Sequence, residues 1–542
     1  MSLSNESKEA TLVIHNAKVF TVDEGQPAAS AVAVRDNQIV FVGDDEGGRG
    51  FVGEQTRVVD GEGRSLLPGF IDSHFHLAWG SQTLIGAQLY GIQSLAGLKT
   101  GLDEWMAANP EMPWVLGQGT SYAIPSSEEP LTRHYLDQIE SEKPLALTTY
   151  DMHSMFVNTA ALKAIGLLHG AAEELANGEV VMGEDGMATG ELYEMDAMNY
   201  VYKAIPDPTM EQQLEIVKKG LALAASYGIT SVHNMDGEME QAQLYAALEE
   251  MEALTLRVYV PFWVKPGMSV AYMEEQATQM RESFQSEMLR SNCVKFFMDG
   301  VYESYTAVTL TGYPDQPDNL GEPIWDEPTF AQFASAADKL GLQIFVHACG
   351  DGAVRRVLDG YASAQQQNGQ RDSRHRVEHI EMIGLEDVPR FKQLGVIASM
   401  QPLHSPLEEN DPDLWPKRVH KADWDRAFAW RTLREADATL AFGSDWPVVT
   451  LNPMLGVYAA LNRQPWEPGY DPHTQTLAET IRSYTQDAAF AEFQEHKKGQ
   501  IKVGMWADLV LLSDDIFALP SQALKDTTVE MTVCHGRVVF EK

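Results

Sequence analysis

The stretch SLLPGFIDSHFHLAWG, residues 65–80, decides how the rest of the chain is read. Leu66, Leu67, Phe70 and Ile71 form a short apolar run, read as one buried strand punctuated by Pro68 and Gly69. Side chains alternate faces along a strand, so Asp72, His74 and His76 project to the same side at its carboxyl end. Two imidazoles on one face can share a metal ion; the competing reading packs one in the core and exposes the other.

Outward from this stretch, apolar β-like runs recur at 228–235, 257–264, 293–300, 342–350, 376–383, 395–403 and 438–446. Helix-like stretches such as 238–254, 327–341 and 352–367 separate them. Eight buried strands alternating with helices predict an α/β fold, a parallel (β/α)8 TIM barrel. One connection is far longer than the others, roughly 150 residues from Gly80 to the run near Ile229, with helices of its own at 95–108 and 211–226. Barrel function is elaborated in the loops after the strands, so this segment is expected to be an inserted α+β cap.

Both ends of the chain have a different texture. Residues 11–23, 28–44, 500–515 and 528–542 are rich in Val, Ile and Phe, with turn signals at Asp36-Asn37 and Gly536. They predict one small β-sandwich built from both termini. The expected division is 1–64 with 490–542 as sandwich, 65–80 with 211–489 as barrel, and 81–210 as cap or substrate domain.

The totals set bounds. A chain of 542 residues has room for two or three domains of about 100–200 residues each. Its 40 basic and 78 acidic residues leave a net charge of −38, which argues against a nucleic-acid or anionic-membrane partner. Three cysteines, Cys293, Cys349 and Cys534, do not make a disulfide framework. No stretch approaches the roughly 18 uninterrupted apolar residues of a membrane helix. The polar N-terminus, MSLSNESKEATLV, lacks a signal-peptide core, so the expected location is the cytoplasm.

The other strand ends repeat the pattern of the first. Lys295 lies between Val294 and Phe296, while His347, His379 and Asp445 close the fifth, sixth and eighth runs. Barrel enzymes place their chemistry at these positions. An ammonium in an apolar strand is costly, and desolvation favours the neutral amine. Neutral Lys295 can take up CO2 as a carbamate, an anionic bridge between two metals; a salt bridge to Asp299 or Glu303 is the rival reading. Asp445, in GSDWP, either caps a turn or takes both a metal and the proton of an attacking water. His233 and His404 also lie near strand ends, but a two-metal site is filled without them. Cys349 shares a face with His347 and is read as packing.

With these residues in place the chain resembles an amidohydrolase-superfamily enzyme, of the branch called amidohydrolase family 3, YtcJ-like. The resemblance rests on PGFIDSHFH (68–76), VKFFMDGVYES (294–304), FVHACGDGAV (345–354), RVEHIEMI (376–383), SMQPLH (399–404), FGSDWPV (442–448), GQIKVGMWADLVLL (499–512) and DMHSMFVNTAAL (151–162). It implies His74 and His76 on a buried metal and His347 and His379 on a second, with Lys295 as carbamylated bridge and Asp445 as ligand and proton shuttle. It further implies that His153 and Asn158 reach the active site and that Trp79, Trp114 and Tyr122 wall the substrate cavity. Tyr305 and His404 complete the expected substrate contacts. Tyr305 stands where many relatives carry an Arg in a Ser-Arg-Thr-Ala pattern, so this chain lacks that guanidinium.

The expected activity is hydrolysis of a non-peptide carbon–nitrogen bond, of N-substituted amide or formamide type, in a small-molecule substrate. A water bridging two zinc ions is the nucleophile in that reading. The alternatives are a one-metal hydrolase of an ester, lactone or amidine, and a non-catalytic binding or regulatory protein on the same fold. A homodimer is compatible with the family.

Overall fold

Eight strands correspond to the eight apolar runs: β1 (Phe70–Phe75), β2 (Ile229–Asn234), β3 (Arg257–Tyr259), β4 (Cys293–Phe297), β5 (Gln343–Ala348), β6 (Arg376–His379), β7 (Ile397–Met400) and β8 (Thr439–Phe442). The structure, a computed structural model, describes residues 9–126, 130–149, 154–172, 175, 178–405 and 415–542. It divides into two compact units, Met1–Ala78 with Gly220–Lys542, and Trp79–Lys219.

In the larger unit β1, β2 and β3 pair in parallel, with Leu289–Arg290 at the edge beyond β3. The strands β4 to β8 pair in parallel in a second sheet that begins with Phe262–Trp263. Burial of every residue of β1, β2, β5, β6 and β7 explains why these runs are continuously apolar rather than alternating.

The ladders form two open sheets, not the closed ring expected of a barrel. Two local causes are visible. Pro261 has no N–H to contribute, and the run from Arg257 splits there, its first half pairing with β2 and its second with β4. At the other junction a single parallel bridge, Phe75 with Trp446, stands where a β8–β1 ladder would run. There side chain and backbone share the junction: the Asp72 carboxylate accepts from both His74 N (3.1 Å) and Ser444 N (2.9 Å), while Asp445 N donates to the His74 carbonyl (2.7 Å) and His76 N to the Trp446 carbonyl (3.0 Å).

The stretch at 65–80 is also two strands rather than one. Ser65–Pro68 pairs with Leu509–Leu512 and Lys18–Phe20 in the terminal sheet, and the chain enters the parallel sheet only at Phe70. Between them, a Cβ on Gly69 would lie 2.3 Å from Thr230 Oγ1, so only glycine fits the crossing.

The terminal strands build two sheets. One contains Leu12–His15, Ala31–Arg35, Gln38–Gly43 and Arg57–Asp60; the other joins Lys18–Phe20, Ala28–Ala29 and Ser65–Pro68 to Leu509–Leu512, Val529–Cys534 and Arg537–Glu541. Leu12, Ile14 and Val32 of the first pack with Leu66, Leu509, Leu511 and Met531 of the second. Each such side chain removed from water contributes about 1.5–3 kcal/mol.

The smaller unit is a six-stranded mixed sheet, from Ala87–Gln88 through Val115–Thr120, Leu145–Thr149, Ser154–Val157 and Ala188–Tyr193 to Glu179–Met182. Its helix Leu95–Ala108 starts at Ser94, whose hydroxyl accepts from Gly97 N, and buries Leu98 and Leu102 among Leu145, Leu147 and Phe156. Among the described residues no helix is long and apolar enough to cross a membrane.

Candidate metal centre

The carboxyl end of β1 delivers His74 and His76, and the loop after β8 delivers Asp445. Gly443 lets these segments meet, since a Cβ there would sit 2.4 Å from His74 N and 2.7 Å from Asp72 Oδ1. The imidazoles of His74 and His76 turn Nε2 toward the same carboxylate oxygen, Asp445 Oδ1, at 3.4 and 3.1 Å. Their Nδ1 atoms are held from behind, His74 by Glu378 Oε2 at 2.8 Å and His76 by Asp236 Oδ1 at 2.7 Å. A carboxylate on Nδ1 fixes the ring orientation and leaves the Nε2 lone pair for a cation.

Two further histidines approach Asp445 Oδ2, His379 Nδ1 at 3.9 Å and His404 Nε2 at 3.8 Å, and their rings stack with centroids 5.9 Å apart. His379 also lies against His74 and His347, at 4.5 and 4.3 Å between centroids. His379, Ile380 and Asp445 all have left-handed backbone (φ 72°, 53° and 63°), an unfavourable conformation above all for β-branched Ile380. Strain of this kind gathers where surrounding structure dictates a side-chain direction.

Lys295 on β4 is fully buried. Its Nζ lies 3.8 Å from Met235 Sδ and 5.0 Å from the centroid of the Phe297 ring. Asp299, one of its expected partners, instead accepts three backbone N–H groups, from Val308, Cys349 and Gly350.

Burial dominates the electrostatics. It lowers His74 to about 4 and His347 to about 3, with the Lys295 charge adding to both, and takes His379 well below the usual range. These three rings are neutral at neutral pH, the form that binds metals. Burial also opposes a charge on His76, but the Asp236 and Asp445 carboxylates outweigh it and hold the pKa up at about 9. Lys295 falls to about 8 because burial exceeds the pull of Glu378 and Asp445. Asp445 is held well below the carboxylate range, its burial offset by His74 and His76.

The donors fit a divalent cation. His74, His76 and Asp445 place ligand atoms within 4.8 Å of one another, as do His379, His404 and Asp445, and His347, Cys349 and His379. Among the described residues the Nε2 of His404 is buried with no hydrogen-bond partner, which a bound ion would supply. His404, read from sequence as a substrate contact, thus sits among potential ligands.

The expected substrate residues have local contacts of their own. Asn158 caps the helix Thr159–Ala164: its Oδ1 accepts from Ala161 N and Leu145 N, while Nδ2 donates to the carbonyls of Glu140 and Lys143. Trp114 packs in a core with Met155, Val157 and Leu192, and the Tyr122 hydroxyl donates to Ser154 Oγ at 2.7 Å. Trp79 is 39% exposed. All four belong to the smaller unit. Tyr305 stacks under the Arg418 guanidinium at 4.0 Å and its hydroxyl bonds Asp315, so a guanidinium from elsewhere in the chain reaches the position that lacks one in sequence. His153 lies outside the described residues.

Glu378, Arg376 and Asp236 are residues that the sequence reading passed over. Arg376 grips Glu378 through two hydrogen bonds of 2.8 and 2.9 Å and also contacts His233 Nδ1 at 2.6 Å. For Arg376 and Glu378 the sequence carries a signal, two charges at i and i+2 on one face of a buried strand, RVEH; for Asp236 it carries none.

Residues 57–540 match the model of a family described as "Amidohydrolase family". The protein LONG AFTER FAR-RED 3 of Arabidopsis thaliana is 29% identical over 93% of this chain and 87% of its own length. The putative amidohydrolase YtcJ of Bacillus subtilis is 26% identical over 97% and 99%, and the N-substituted formamide deformylase of Arthrobacter pascens 24% identical over 98% of each. An uncharacterized metal-dependent hydrolase from Pyrococcus horikoshii shares the fold, with a TM-score of 0.74 and 21% identity over 94% of this chain and 99% of that one.

Proposed function

Because the chain belongs to the amidohydrolase family, we propose that it is a metal-dependent hydrolase of a non-peptide carbon–nitrogen bond, of N-substituted amide or formamide type. The observation that carries this reading is the convergence of His74 and His76 Nε2 on Asp445 Oδ1, with both Nδ1 atoms tied to carboxylates. The formamide deformylase of Arthrobacter pascens supports the substrate class.

In this reading His74, His76 and Asp445 would hold one ion and His347 and His379 a second, with zinc as the metal, and Lys295 modified by CO2 to a carbamate would supply a further anionic ligand. Such ions, when bound, lower the pKa of a water and polarise the scissile carbonyl. Asp445 accepts the attacking water's proton on one carboxylate oxygen and delivers it to the leaving nitrogen. Glu378 and Asp236 hold the two imidazoles in the tautomer that presents Nε2. We read the two parallel sheets as arcs of a (β/α)8 barrel, with the terminal sandwich at 1–64 and 490–542 and the insert at 81–210 bearing on substrate choice.

A panel of N-substituted formamides and amides, assayed with zinc and bicarbonate, tests the proposal. Turnover is expected, and D445N should lower kcat by about 10²–10⁴-fold with an unchanged circular dichroism spectrum. Absence of hydrolysis across the panel, or full activity in D445N, overturns it.

A further inference from the structure

We propose that Cys349 is a metal-ligating thiolate which, with His347 and His379, forms a sulfur-containing cation site that selects zinc, cobalt or cadmium over magnesium or manganese. The proposal rests on the metal-dependent reading above and adds to it a ligand of a different chemical class.

Three observations carry it. Cys349 lies two residues beyond His347, on the same face of the chain, with Sγ 3.5 Å from His347 Nε2. One ligand atom from each of His347, Cys349 and His379 lies within 4.8 Å of the other two, and all three residues are buried. The backbone that aims the thiol is clamped, because Cys349 N and Gly350 N both donate to the Asp299 carboxylate, at 3.0 and 2.9 Å. A thiol merely filling space needs no such alignment with two imidazoles.

Carboxylates stand beside the cluster: Asp299 Oδ1 lies 3.8 Å from His347 Nε2, and Glu381 accepts from the Trp415 indole at 2.7 Å. Cation binding replaces the S–H bond with a metal–sulfur bond and releases one proton to solvent; the metal keeps its oxidation state. Two imidazoles and a thiolate form a set preferred by borderline and soft ions, whereas magnesium and manganese favour oxygen.

Cobalt(II) reports the ligand directly. The full-length metal-free protein is reloaded with cobalt and its absorption recorded: visible d–d bands report binding, and a near-ultraviolet sulfur-to-cobalt charge-transfer band reports a thiolate. Wild type is expected to show both, and C349S and C349A to lose the charge-transfer band while keeping d–d bands. Zinc affinity of C349S, by chelator competition, should fall by more than the about 10–100-fold seen on removing outer-shell partners. Cys293, packed with Tyr259 and Phe345, and Cys534, against the Thr230 carbonyl, lie elsewhere, so a C293A/C534A variant should retain the band. A wild-type spectrum with d–d bands but no charge transfer, or a band that survives in C349S, overturns the proposal and leaves the metal-dependent reading standing. No cobalt binding at all overturns both.

Discussion

Replacing Glu378 by glutamine separates two roles that one carboxylate performs. Glu378 is fully buried, paired with an equally buried Arg376, and holds His74 Nδ1 at 2.8 Å. The amide keeps the shape but not the charge, leaving the guanidinium enclosed without its partner. Breaking a buried pair in this way costs about 3–5 kcal/mol, a midpoint shift on the order of 1 M urea for a chain of this size. The second effect is on the cation: without a carboxylate behind it His74 loses its preferred tautomer, and affinity should fall about 10–100-fold. Both are measured on full-length protein, stability by urea unfolding of the metal-free form and affinity by chelator competition. The double variant R376M/E378Q decides between the roles. Removing both charges should restore part of the stability, with a coupling of about 0.5–3 kcal/mol, while affinity stays low. If E378Q matches wild type in both measurements, or if the double variant recovers affinity as well, the assignment of Glu378 as the residue orienting His74 is wrong.

Two other perturbations follow from the same electrostatics. Carbamate formation on Lys295 consumes the neutral amine, and with a pKa of about 8 that fraction rises about tenfold from pH 7 to pH 9. Recovery of metal binding after CO2 depletion, at fixed dissolved CO2, should accelerate accordingly, and K295A should show no CO2 dependence; a rate flat in pH excludes the carbamate. Asp72 is pushed by burial from 3.8 up to about 7. An acid with a raised folded pKa binds more protons folded than unfolded between roughly pH 4 and 7, so its contribution to stability falls as pH rises through that window. Metal-free D72N should therefore come closest to wild type below about pH 4 and exceed it in urea midpoint above pH 7, and an equal difference in midpoint at both values would refute the buried charge.

The elements were legible in sequence where one physical signal dominated. The eight apolar runs required no tertiary information, because strands buried on both faces are apolar throughout. The rest depends on contacts between distant residues. Pro261 is one proline in an apolar run, and only the pairing of its neighbours reveals that it divides two sheets. Asp72 was grouped with His74 and His76 by alternation, yet its oxygen is engaged by backbone N–H groups, one of them from residue 444. Asn158 and Trp114, given to substrate by resemblance, spend their polar and apolar surface on a helix cap and a core. Within the candidate site, positions at strand ends are a one-dimensional property and were readable. The carboxylates behind His74 and His76 are not, since Glu378 lies on β6 and Asp236 in the loop after β2, and they become partners only when the sheets assemble.

The sheet shared by both termini has a consequence for how the protein is made. Ser65–Pro68 leaves the ribosome about 440 residues before Leu509–Leu512, the segment that completes its pairing. At about 5–20 residues per second, that interval lasts roughly 20–90 s. Throughout it the nascent chain carries an unpaired strand edge, the kind of surface that recruits other chains. Synthesis of the segment from Leu509 to Glu541 is therefore the event that completes this sheet, and a ribosome that stalls before it releases a protein with an open seam.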